Sequence, residues 1–239
     1  MAKKPRGIVI DRGLSPIDGQ PYVAIMTLHS QNAKTGDMLQ VFIIRPDVSP
    51  LAAIASGDDY TICGSCPHRR RWNAELGKYV RTCYVDVGKS VGSVYRAFVR
   101  GSYPDYDANL HARYLRGRRI RWGAYGDPAL VSESVVRDLS ALALGHTGYT
   151  HQWREAWAEW CKGLFQASCD GITDYLDASA SGWRTFAVIP QDSVPYSGKL
   201  CPATAEGSSA QCVTCRLCDG AKTDIFVEAH GIAGQYVGV

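Results

Sequence analysis

The chain has 239 residues, 46% of them hydrophobic and 21% charged, which is enough apolar material for a substantial core and excludes a disordered chain. A formal net charge of +3 is too small by itself to imply nucleic acid, so such a partner has to be argued from where the charges sit. The opening Met-Ala-Lys-Lys-Pro-Arg lacks a signal-peptide core and no stretch reaches the length of a membrane span; the expectation is a cytoplasmic protein without a membrane partner.

Residues 1–21 read as an arm or an extra strand, with turn residues around Ile8-Val9-Ile10. Strands are predicted over Tyr22 to Leu28 and Met38 to Ile44, then a helical turn from Leu51 to Ala55 and a strand from Asp59 to Ile62. A hairpin is predicted over Trp72 to Val80 and a strand over Cys83 to Val87. Val91, Val94, Tyr95 and Phe98 recur on one face of a helix from Ser90 to Arg100, and Gly101 stops it. A short helix from Ala108 to Tyr114 and a strand from Arg118 to Ala124 follow, then a helix from Ser132 to Ala143 with the stripe Val135, Val136, Leu139 and Leu142. After a short strand near 146, Trp153, Trp157 and Trp160 are spaced for one side of a helix. Residues 171–176 give a weak strand, Arg184 to Ile189 a clear one, and Asp224 to Ala229 the last.

Short strands alternating with helices predict an α/β fold, specifically a compact, incomplete or irregular β/α barrel over residues 22–239 that carries a cysteine-rich loop at 201–218. A doubly wound open sheet is the rival. In a barrel, Cys63, Asp86, Asp127, His146 and His230 would all follow carboxyl ends of strands, where loops converge on a site.

Nine cysteines in a reducing compartment favour metal ligation or buried thiols over disulfides. Cys201, Cys212, Cys215 and Cys218 supply four thiolates within eighteen residues, a pattern suited to structural zinc and open to an iron-sulfur cluster. Cys63, Cys66 and Cys83 form a second set, read either as a catalytic zinc or cluster site with one open position, or as ordinary buried thiols. Asp127, between Gly126 and Pro128, suits a nucleophile or general base and equally a helix cap. Asp86 is the second carboxylate candidate, and His230 is a candidate for catalysis or substrate binding. Arg69, Arg70, Arg116, Arg119 and Arg121 are candidates for a phosphate path, and Tyr149, His151 and Trp153 for a base pocket. The glycines form neither a Walker loop nor a dinucleotide fingerprint.

Taken together, Cys63-Gly-Ser-Cys66-Pro-His68, Arg121-Trp-Gly-Ala-Tyr-Gly126-Asp127-Pro128, Gly148-Tyr-Thr-His151, Gly182-Trp-Arg-Thr-Phe186 and the C-terminal cysteine pattern resemble a family of phage-encoded proteins, which would place the chain in a host cytoplasm. That family is similar to radical S-adenosylmethionine barrels and, distantly, to transglycosylases that exchange guanine in DNA for a 7-deazaguanine. The second resemblance implies DNA and a modified base as substrates, Asp127 as the nucleophile forming an aspartyl intermediate, Asp86 in proton transfer or base binding, and zinc on the C-terminal cysteines. The chain departs from those transglycosylases in its four-cysteine pattern and in the added Cys63, Cys66 and Cys83. The first resemblance implies an iron-sulfur or atypical radical enzyme acting on a nucleotide. A metal-stapled nucleic-acid-binding module without catalysis is the remaining reading.

Overall fold

The computed structural model describes residues 4–190, 193–204 and 207–229. Strands β1 (Gly7–Leu14), β2 (Pro21–Thr27) and β3 (Leu39–Ile44) open the fold as an antiparallel meander. The extra strand expected near the N-terminus is therefore real, and it forms the sheet edge beyond β2. Every residue of β3 is buried, as befits a strand covered on both faces.

A long excursion separates β3 from the next sheet strand. Helix α1 (Pro50–Ser56) is capped by the Ser49 hydroxyl and closed by left-handed Gly57, with Pro50 in the first turn, where no amide donor is needed. Tyr60–Cys63 forms a single helical turn, α2, rather than the predicted strand. The predicted hairpin is present as β4 (Arg71–Asn73) and β5 (Lys78–Val80). Cys83 to Val85 is irregular instead of a strand and leads into a π-helical turn, Val87–Val91, that continues as α3 (Gly92–Val99). Helix α4 (Ala108–His111) follows, capped by Asp107.

Strand β6 (Ile120–Tyr125) buries Ile120 and Trp122 on one side and turns Arg121 to the other. Helix α5 (Glu133–Leu142) brings the buried Val136 and Leu139 to the core, and Ser140 accepts a 3.1 Å bond from the Trp122 indole. Each side chain of that kind, fully buried, contributes about 1.5–3 kcal/mol. Segment 146–150 then changes partners midway: β7 (His146–Thr147) pairs with β6, while β8 (Tyr149–Thr150) pairs with β9 (Gln166–Cys169). Gly148 stands at the exchange because a Cβ there would lie 2.4 Å from the Phe165 ring. Trp153 precedes a 3-10 turn, Ala156–Cys161, so the three tryptophans do not share an α-helix. Residues 172–180 form α6 (Ile172–Ala180), where a weak strand was expected, and the strand lies earlier, in β9.

Strand β10 (Thr185–Ile189) pairs in parallel with β9 and with β12 (Ile225–Glu228), and the short β11 (Lys199–Leu200) lies beyond β12. Strands β3, β6, the 146–150 segment, β9, β10 and β12 are thus parallel neighbours in chain order. The α/β class stands, but among the described residues no sheet closes into a barrel: β1 and β11 are edges. The gap between the two ends is spanned by the cysteine loop, including the turn α7 (Cys212–Cys215). Cys201 donates to Phe226 O beside β11, while Cys212 and Gln211 donate to Lys34 O and Ala33 O in the β2–β3 loop. No helix among the described residues is long and apolar enough to cross a membrane.

Candidate metal centre

The carboxyl ends of consecutive parallel strands converge. Asp127 follows β6, His151 follows β8 and Asp170 follows β9, while α2 and the segment after β5 bring Cys63, Cys66, His68 and Cys83 over them. His68 Nε2 lies 2.7 Å from one Asp170 oxygen and His151 Nε2 lies 3.2 Å from the other. Cys66 Sγ is 3.8 Å from the same His151 nitrogen. Among the described residues, His68, His151 and Asp170 are a group with donor atoms all within 4.8 Å of one another, and they can coordinate a metal ion.

Two features fit that capacity. Asp170 Oδ1 is buried without a hydrogen-bond partner, and the His68 nitrogen stands 2.7 Å from it as an ion-pair contact. An ion shared by both atoms would satisfy a lone pair that a proton on His68 does not. The other ring nitrogen of His68, Nδ1, is 2.7 Å from the Thr82 hydroxyl, the outer contact that orients an imidazole ligand. Thr82 Oγ1 and the backbone bond from Cys83 N to His68 O fix this ring from two sides.

The groups at the mouth interact electrostatically. Burial raises the Asp170 carboxyl, but the His151 and His68 imidazoles outweigh it and hold the group well below its ordinary range. Burial works against charge on His151, yet Cys66 and Asp170 beside it push its pKa well above the ordinary histidine value. Burial, with Cys66 and Cys83 nearby, pushes the Cys63 thiol far up, and burial raises Cys83 against the pull of Arg81. The three cysteines of the first set are therefore neighbours in space, and His151 stands among them.

Asp127 serves the structure as a cap and a brace. It is buried; Oδ1 accepts from Ala129 N at 3.0 Å, and Oδ2 accepts from His151 N at 2.8 Å and from the Gln152 amide at 3.4 Å. Burial raises its pKa, and its own amide donates to Ile62 O at 2.7 Å. Asp127 thereby caps the turn Pro128–Leu130 and ties α2 to the His151 backbone. The turn requires Gly126, with φ of 76° and the Ile43 carbonyl 2.7 Å from where a Cβ would stand. Asp86 is exposed, caps the π-helical turn through Lys89 N and pairs with the Lys89 ammonium.

Other predicted positions divide. Arg69 is bound to Asp59 and to Gly57 O, so it braces α2. Arg70 lies over the Tyr79 ring, Arg116 is exposed, and Arg119 donates to Leu144 O. Trp153 is core, with its indole donating to Ser168 O. Arg121 donates to the Tyr84 hydroxyl and lies 5.7 Å from the Tyr149 ring, which packs on Phe186 at 4.0 Å. His230 lies outside the described residues.

The C-terminal cysteines influence one another, but they are not among the described groups whose donor atoms lie within 4.8 Å of one another. Cys218 is pushed up to about 12, mainly by burial and also by Cys201, Cys212 and Cys215, while a hydrogen bond with Tyr149 works the other way. His68 and Asp170 were missed in sequence: His68 was read only as part of the cysteine motif, and Asp170 follows a strand placed too late. The signal available was the run Cys169-Asp170-Gly171, a carboxylate between a buried strand and a glycine.

No family model, no curated protein and no solved structure matches this chain.

Proposed function

We propose that the protein is a metal-dependent enzyme that modifies a nucleotide base, with its ion held by His68, His151 and Asp170 and with Cys66 as the adjoining sulfur donor. One observation carries this reading: the two imidazoles meet opposite oxygens of a buried carboxylate that lacks a hydrogen bond on one oxygen. A zinc or iron ion in such a set supplies Lewis acidity and an activated water. His151, beside Cys66 and Asp170, is placed to hold a proton at Nε2 whenever no ion occupies the site. Asp127 keeps that ring in place through the His151 amide.

The base substrate follows from the resemblance to phage proteins, and Arg121 gives it a phosphate anchor. It meets the Tyr84 hydroxyl and the Tyr149 ring, neither of them a carboxylate, and Tyr84 adjoins Cys83 at the mouth. Base exchange through an Asp127 ester draws no support from the geometry, because both oxygens of that carboxylate are engaged by donors.

A second reading rests on Cys66 at 3.8 Å from His151, with Cys63 and Cys83 in the same part of the chain after the first parallel strand: an iron-sulfur cluster on these three, with the His-Asp-His group as its acid-base neighbour. Metal and sulfide analysis of anaerobically purified protein decides between the two. Zinc or iron without acid-labile sulfide, lost in Asp170→Ala, supports the mononuclear site; iron with labile sulfide and visible absorption, lost in Cys63→Ser, supports the cluster. Protein free of both, with its thiols all reactive, would sink the metalloenzyme reading.

A further inference from the structure

At the other end of the strands lies a second site. The pairings Gly7 with Thr27, Thr27 with Gln40 and Leu39 with Ile120 place residues 4–6 at the amino ends of β3 and β6. The metal centre follows the carboxyl ends, so about 20 Å of six-residue strand separates the two. Two adjoining cavities of about 730 and 800 Å³ share Lys4, Pro5, Arg6 and Tyr103 and form one groove.

The groove is basic. Lys4 and Arg6 lie along both cavities, and Arg100 and Arg113 line the second. None of these four cations is in an ion pair with a described carboxylate. The one acidic residue of the first cavity, Asp37, is already bound to Arg118. Two tyrosines interleave with the charges. Lys4 stands 5.5 Å and Arg113 4.9 Å from the Tyr114 ring centre, while Tyr103, its ring edge against Gly7, lines both cavities beside Arg6. A lone phosphate would use one or two of these cations and a small part of this volume. Several phosphates in a row, with bases against tyrosine faces, match both the extent and the chemistry.

We propose that this groove binds single-stranded nucleic acid through its phosphates, with Tyr103 as a stacking platform. The proposal extends the nucleotide part of the reading above from a base to a strand, and it does not depend on which metal the mouth holds. Unpaired cations alternating with aromatic rings suit a flexible strand whose bases are free to stack, whereas a duplex presents only its backbone.

The test is fluorescence anisotropy of a labelled single-stranded oligodeoxythymidine with the full chain at several salt concentrations. Binding is expected to weaken with salt at a log–log slope of about −3 for four contacts. The double variant Arg6→Glu/Arg100→Glu is expected to lose about tenfold or more in affinity and to flatten the slope. Tyr103→Ala is expected to lose about tenfold with the slope kept, since stacking is not a counterion effect. Circular dichroism and metal content unchanged in these variants exclude misfolding as the cause. Binding that ignores the charge reversals, a slope near zero, or tighter binding of a duplex or of polyglutamate would overturn the proposal. Native protein that holds metal but binds no strand would remove the groove alone; native protein that binds the strand but holds no metal would remove the metalloenzyme reading alone.

Discussion

Tyr149 and His151 stand two residues apart on one extended segment, and each meets a different set of cysteines: Tyr149 packs against the small apolar cluster that holds Cys218, while the His151 imidazole reaches Cys66 at 3.8 Å. Two residues of extended chain span about 7 Å. The cysteine-rich loop and the mouth are consequently adjoining parts of one region, tied by a single strand.

Thr82 orients the His68 ring without being placed to touch an ion. Thr82→Val should weaken metal binding by about tenfold to a hundredfold while leaving the fold intact. Competition with a chromophoric chelator reads this directly, and an unchanged affinity would remove His68 from the ligand set.

Removing the Asp127 carboxylate leaves buried amide donors of Ala129 and His151 unsatisfied. Asp127→Ala should cost about 2–3 kcal/mol in urea unfolding, whereas Asp127→Asn, which keeps an acceptor, should cost less. Equal stability of both variants with the native protein would remove the cap assignment.

Burial lowers the pKa of His146 from its ordinary 6.5, and its Nε2 is 2.8 Å from Leu164 O, where the neutral ring donates. The unfolded chain takes up a proton near pH 6.5 that the folded chain refuses. This contribution is therefore fully present above pH 6.5 and is lost as pH falls through the depressed folded value. Urea midpoints followed from about pH 8 to about pH 5 should decline less in His146→Gln than in the native protein; parallel curves would show that another group sets the acid sensitivity.

Cys218 is buried in a small apolar cluster against which Tyr149 and Cys201 pack. A chelator strong enough to strip a metal held there should free the loop from Lys34 and Ala33 and open residues 201–218 to protease. Cys215→Ser should reproduce that cleavage without chelator, and resistance of both samples would mean that the loop holds without a metal.

Gly148→Ala places a Cβ 2.4 Å from a Phe165 ring carbon at the point where the segment changes neighbours. Overpacking of about 1–3 kcal/mol is expected. A loss of stability within error of zero would show that Phe165 moves aside freely.

Most strands were legible in sequence because their apolar runs are short, dense and bounded by turn residues, as in Leu39–Ile44 and Thr185–Ile189. The helices over 92–99 and 133–142 declared themselves by apolar spacing. Cys63 and Cys83 misled, because their apolar neighbours suggest strands while their segments form a helical turn and an irregular stretch held by bonds to Asp59 O and His68 O. Asp170 was illegible as a ligand for another reason. Its partners His68 and His151 lie 102 and 19 positions away, and only the ordering of the parallel strands brings them together. Barrel closure was left open by the sequence, and among the described residues the sheets stay open: β1 and β2 reverse direction and occupy the end of the sheet where a last parallel strand would have joined.

The bond from the Gln211 amide to Ala33 O joins positions 178 residues apart. During synthesis, the first third of the chain must wait, with that carbonyl facing water, until almost the whole polypeptide has left the ribosome. His68, His151 and Asp170 are all translated before residue 201, so gene order lets these three side chains meet before the cysteine loop arrives.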